Sequence, residues 1–62
     1  MNERKREAAM HAAREAHMAH VHLQAAADRA RTARLPRAAR LDKLAAQTAD
    51  LRDYFAELGK KV

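Results

Sequence analysis

Small and apolar residues recur along the first half of the chain at alternating steps of three and four. Seven of the eight positions in this series are alanine: Ala9, Ala12, Ala16, Ala19, Leu23, Ala26, Ala30 and Ala33. Such spacing places side chains along one face of an α-helix. Neither proline nor glycine interrupts residues 2–34, so the pattern predicts one long helix over about 2–34, with a seam small enough for close helix approach.

A second apolar group, consisting of Met10, Val21 and Ala25 with Met18 beside them, lies on nearly the opposite side of the same predicted helix. A helix that is apolar on two sides is typically packed on both, here against its own partner helix and against another chain. The alternative is that alanine serves only as a good surface helix former. The predicted oligomer seam draws on both groups and consists of Ala9, Ala12, Ala16, Ala19, Leu23, Ala26, Met10, Met18 and Val21.

The one strong break in the pattern is Leu35-Pro36. Proline in a helix interior loses a hydrogen bond and clashes with the preceding turn, whereas it fits the first position of a new helix. We therefore expect a turn at residues 34–36 and a second helix over about 36–58. A single long helix kinked at Pro36 remains an alternative, because the turn has no glycine.

The second predicted helix has the stronger hydrophobic pattern. Leu41, Leu44, Thr48, Leu51, Phe55 and Leu58 step by three and four, and the predicted core consists of the five apolar members of this series. We expect Leu51 and Phe55 to be the principal buried anchors. Gly59 fits a left-handed helix C-cap, followed by a short basic tail at residues 59–62.

These elements predict an all-α fold, a single helical-hairpin domain over residues 1–62. Seventeen of the 62 residues are alanine and none is cysteine, so the core is thin and has no disulfide. A domain of this size buries only about 60% of its unfolded surface. We therefore expect a homodimer in which two hairpins form an antiparallel four-helix bundle.

Charge is concentrated at the break. Between residues 29 and 43 six basic residues face a single acid, whereas the rest of the chain has seven of each sign. Arginine predominates there, which suits bidentate contact with phosphate or carboxylate. We predict that this stretch, called the basic bend below, binds a DNA or RNA backbone or an acidic protein through Arg29, Arg31, Arg34, Arg37, Arg40 and Lys43.

The basic bend favours a small nucleic-acid-binding regulatory or accessory protein. It contains no aromatic, Asn or Gln residue for base stacking or adenine readout, so sequence-specific recognition is not expected from it. The alternative function is a protein-interaction module that completes a partner's helical bundle or docks its arginines onto an acidic protein. A third interpretation is a solvated charge run that aids solubility.

Other chemistry has little support in the sequence. The chain contains no Ser or Cys and no glycine-rich phosphate loop, so we expect neither enzymatic activity nor a cofactor. It contains no secretory signal and no apolar run of the roughly 20 residues that a membrane span needs, so we expect a cytoplasmic protein without a membrane span.

Four histidines lie within twelve residues, at positions 11, 17, 20 and 22. Only His17 and His20 are neighbours by helical spacing, and two imidazoles do not complete a zinc site. We therefore predict no metal site, with His17 and His20 as the sole candidates for one. Solvated side chains that gain charge in mild acid are the favoured interpretation.

Overall fold

The computed structural model describes residues 2–62 and contains, within that range, two α-helices and no strand. Helix α1 spans Asn2–Thr32 and helix α2 spans Ala38–Lys61. The two helices pack along their lengths as a hairpin, a rod whose Cα atoms extend 49 × 13 × 11 Å. The all-α fold with two helices is confirmed.

Helix α1 ends in a Schellman motif, the paired hydrogen bonding that commonly closes a helix around a left-handed residue. The N–H of Leu35 donates to the carbonyl of Ala30 at 2.8 Å, and the N–H of Arg34 donates to Arg31 at 3.1 Å. Arg34 has φ of 56°, in the position that glycine usually takes. The helix therefore ends at Thr32, and the chain does not form a single helix kinked at Pro36.

Helix α2 begins two residues later than predicted. Pro36 lies in the connection, and Arg37 is the N-cap residue, with φ of 69° and ψ of 16°. Left-handed backbone at a residue other than glycine costs of order 1–3 kcal/mol, and here it occurs twice within four residues. The two left-handed residues turn the chain sharply enough for α2 to run back along α1.

Gly59 is not the predicted C-cap, because α2 continues through it to Lys61. Gly59 has no positive φ and is buried against α1. A methyl group placed on it would lie 2.8 Å from Sδ of Met10, well inside van der Waals contact. The glycine therefore allows close helix approach instead of ending the helix.

The core between the helices consists of very small residues. The buried residues are Ala9, Ala13, Ala27, Ala30, Ala45 and Gly59. No large side chain is fully buried in the described range. Of the predicted alanine seam, Ala9 and Ala30 are buried and Ala16 is half-buried, whereas Ala19 and Ala26 are exposed. The face of α1 that meets α2 is therefore rotated toward Ala13 and Ala27.

The side of α2 that is buried also differs from the predicted one. Leu51 is 54% exposed and Leu44 is 41% exposed, so the prediction that Leu51 is a principal buried anchor is wrong for the single chain. Phe55 is half-buried, as are Leu41 and Leu58. The cause is the alanine and glycine contact itself, because helices that approach through Ala45 and Gly59 leave no room for leucine between them.

Candidate nucleic-acid interface

The basic bend lies at one end of the rod, around the connection between the helices. Two of its basic residues belong to the last turn of α1, two to the connection and two to the first turns of α2. All six side chains are exposed: Arg29, Arg31, Arg34, Arg37, Arg40 and Lys43. The fold thus brings the charge concentrated in sequence to one end of the molecule.

Arg31 is occupied by acids of the chain itself. Its guanidinium donates to Asp42 on α2 and to Asp28 on α1. The hydrogen bond to Asp42, then the attraction of that carboxylate, raise the pKa of Arg31 above its ordinary value. Arg31 therefore joins the helices, and its pairing neutralises Asp42, the only acid inside the basic bend.

The other five basic residues of the bend form no ion pair with any residue of the described range 2–62. Arg34 and Arg37 occupy the two left-handed positions of the connection, and both side chains are exposed. Like charges held close together repel each other unless anions neutralise them. The end of the rod is therefore a strongly positive surface.

The first turn of α2 adds to this positive field. It contains no acidic residue, and the N-cap Arg37 makes no side-chain capping bond. The N-terminus of a helix has unpaired N–H groups and the positive end of the helix dipole. Anionic groups are favoured at this position, and the nearby side chains supply only further positive charge.

A shallow depression extends from this end along α2. Arg40 and Lys43 line it together with Ala39, Leu44 and Gln47. Gln47 was not among the predicted binding residues, although its position four residues after Lys43 places it on the same strip of the helix. Its amide adds a neutral donor and acceptor beside the two cations.

The histidine pair turns toward α2 and does not converge on a common point. Nδ1 of His20 donates to the carbonyl of Ala45 at 2.7 Å, and Nη1 of Arg52 donates to Nδ1 of His17 at 3.2 Å. The two imidazole rings are 6.4 Å apart. Among residues 2–62 no cluster of three or more His, Cys, Asp or Glu is placed to hold a metal ion.

The side chains that link the helices lie along one edge of the hairpin. Two Arg6 nitrogens donate to the carbonyl oxygen of Val62, at 2.9 and 3.2 Å. Met10, His17 and Arg31 follow at steps of four, seven and fourteen residues, which keeps them on that edge. Met10 contacts Gly59 of α2 but is itself 51% exposed, and Met18 and Val21 are 48% and 42% exposed.

The opposite edge is apolar. At the open end of the hairpin, Ala8 and Ala12 of α1 and Phe55 and Leu58 of α2 line one groove of about 530 Å³. Residues seven positions apart occupy nearly the same side of a helix, so the groove side continues along the rod. We call the six residues of this side the apolar face: Ala12, Ala19, Ala26, Leu44, Leu51 and Leu58.

No family model matches this chain, and neither a curated protein nor a solved structure is significantly similar to it. Neither helix within residues 2–62 has an apolar stretch long enough to cross a bilayer.

Proposed function

We propose that this protein is a small, non-enzymatic nucleic-acid-binding regulator or accessory protein of the cytoplasm that acts as a homodimer and holds phosphates at the basic bend. The observation that carries this proposal is the set of five exposed basic residues without an ion-pair partner in residues 2–62. The acid that could neutralise them, Asp42, is held by Arg31.

Binding of this kind gains most of its free energy from displaced counterions and does not depend on base sequence. The end of the rod contains two helices, with a Cα cross-section of 13 × 11 Å before side chains are counted. The major groove of B-DNA is about 12 Å wide and admits a single helix. The bend therefore suits contact with the phosphate ridges, with Arg34 and Arg37 foremost.

An acidic protein surface offers carboxylates to the same guanidinium groups. Nucleic acid is preferred because its phosphates are regularly spaced and carry one charge per about 1.7 Å of duplex. Five cations around one helix end can engage several such phosphates at once. The test below separates the two partners.

The experiment is a fluorescence anisotropy titration of the full chain with a labelled duplex and a labelled single-stranded RNA, starting at about 50 mM salt. We expect binding to weaken steeply with salt and to be similar for unrelated sequences. The Arg37→Gln/Arg40→Gln double variant should lower the log–log salt slope by about two on duplex DNA, since each neutralised phosphate adds about 0.9.

Arg14→Gln is the matched control, because Arg14 is exposed on α1 outside the bend and forms no ion pair within residues 2–62. Arg52 is unsuitable as a control, since it contacts His17 and Asp53. If the double variant loses twice as much binding free energy as Arg14→Gln, the loss follows the net charge and not the position of the arginines. Absence of binding by the unmutated protein would overturn the proposal in favour of the acidic partner.

A further inference from the structure

Three leucines repeat at intervals of seven along the exposed side of α2. Leu44 is 41% exposed, Leu51 is 54% exposed, and Leu58 is half-buried. A leucine at every seventh position is the pattern of a helix that packs against another helix. In the single chain, α1 does not cover this stripe, because α1 meets α2 through Ala45 and Gly59 instead.

Alanines of α1 border the same stripe. Ala12 and Leu58 line one groove, and the seven-residue repeat places Ala19 beside Leu51 and Ala26 beside Leu44. The apolar face is therefore a strip of six uncharged residues, flanked by Lys5 in the groove at the open end and by Arg40 and Lys43 beside Leu44. The opposite edge, in contrast, holds Arg6, His17 and Arg31 with their partners on α2.

The hairpin exposes more surface than a compact monomer of the same mass. The accessible surface is 5179 Å² for 7.0 kDa. A compact monomer of that mass exposes about 4,000 Å², so the hairpin exposes roughly 1,200 Å² more. A stable interface buries about 800 Å² on each partner. The excess surface is larger than the area that one such interface buries on each partner, so the hairpin exposes enough surface for one.

The charge distribution selects the orientation of the second copy. Each bend carries a net charge of +5 between residues 29 and 43, and the remainder of the chain is neutral overall. Two copies with both bends at one end would bring these charges together, whereas copies in opposite directions separate them by most of the 49 Å rod. Separation beyond the Debye length of about 8 Å removes the repulsion.

We infer that a second copy of this chain covers the apolar face in the opposite direction, so that the dimer is a four-helix rod with a basic bend at each end. Leu51 packs against Leu51 of the other copy, near the two-fold axis, and Leu44 packs against Leu58. Because the bends point away from each other, the dimer holds two nucleic-acid segments at once. This bridging activity rests on the proposed function, whereas the dimer itself does not.

The dimer is tested on the full chain without nucleic acid, by sedimentation over a dilution series. We expect a dimer that dissociates on dilution. Leu51→Glu should weaken association by about 100-fold or more, because it would place two carboxylates at the centre of the interface. Val21→Glu is the matched control, since Val21 is exposed on the other side of α1. A folded monomer at all concentrations, or equal effects of the two variants, overturns the inference.

Should Leu51→Glu also lose helix content, the unmutated protein still decides the question through its own dilution series. Orientation is measured with a single spin label on Ala39→Cys, since the chain has no other cysteine. We expect label separations of roughly 35–40 Å, because residue 39 lies twelve residues from the axis near Leu51 and a helix rises 1.5 Å per residue. Separations on the order of 10–20 Å, the scale of neighbouring helices, would overturn the opposed arrangement.

Bridging is tested with one duplex attached to beads and a second, fluorescent duplex in solution. We expect the unmutated protein to retain fluorescence on the beads, and we expect Leu51→Glu to bind the first duplex without retaining the second. A protein that dimerises and binds one duplex but retains no fluorescence contradicts bridging. If no duplex binds at all, the proposed function fails, while the sedimentation and label distances still decide the dimer.

Discussion

Arg31 in the last turn of α1 binds Asp42 in the second turn of α2 and so joins the helices directly beside the bend. The pairing has two effects on the positive surface. It removes one arginine from contact with a partner, and it removes the only carboxylate that could compete with phosphate inside the bend. The six basic residues therefore divide into one that is paired with an acid of the other helix and five that have no ion-pair partner within residues 2–62.

This division predicts unequal effects of single substitutions at the bend. Arg31→Gln should weaken nucleic-acid binding much less than Arg37→Gln, because Arg31 already has carboxylate partners. Asp42→Asn should strengthen binding, since it releases Arg31 and removes a negative charge. Anisotropy titrations at one salt concentration measure all three. Equal losses for Arg31→Gln and Arg37→Gln would contradict the division.

The contact of Gly59 with Met10 gives a second prediction. Glycine to alanine within a helix ordinarily gains about 1 kcal/mol of stability. At Gly59 the added methyl group would displace Sδ of Met10, a flexible side chain that is 51% exposed, so the displacement offsets only part of this gain. Gly59→Ala should therefore stabilise the protein by less than about 1 kcal/mol.

A double-mutant cycle isolates this contact. In a Met10→Ala background the methyl group has space, so Gly59→Ala should regain the ordinary helix gain of about 1 kcal/mol. Urea denaturation of the four proteins gives the coupling free energy. Additive effects of the two substitutions would show that Met10 and Gly59 do not restrict each other.

The exposure of α2 side chains predicts which truncations destabilise a single hairpin. Below the concentration at which copies associate, Leu51→Ala should cost under about 1 kcal/mol, because half of the side chain is already in water. Phe55→Ala should cost more, on the order of 2–4 kcal/mol, since its ring is partly covered by α1 and by Tyr54. Thermal melts of dilute protein compare them. A larger loss of stability for Leu51→Ala than for Phe55→Ala would place Leu51 in the hairpin core.

The features that depend on residues close together in the chain could be predicted from the sequence. Alanine and arginine favour helix, and the proline ring cannot continue one, so two helices separated near Pro36 follow from local conformational preference. The position of the charge follows equally, because residues 29–43 are contiguous and a turn keeps them together. Local preference did not reveal the two left-handed arginines, since glycine is the usual residue at such positions.

The tertiary structure alone decided which side of each helix is covered. With seventeen alanines, several strips of α1 are equally small, so spacing cannot distinguish the strip through Ala12 and Ala19 from the strip through Ala13 and Ala27. The choice depends on contacts between distant residues: Gly59 against Met10, Arg52 with His17, and Arg31 with Asp42. With these contacts in place the helices meet along their smallest residues, and Leu44 and Leu51 of α2 are exposed.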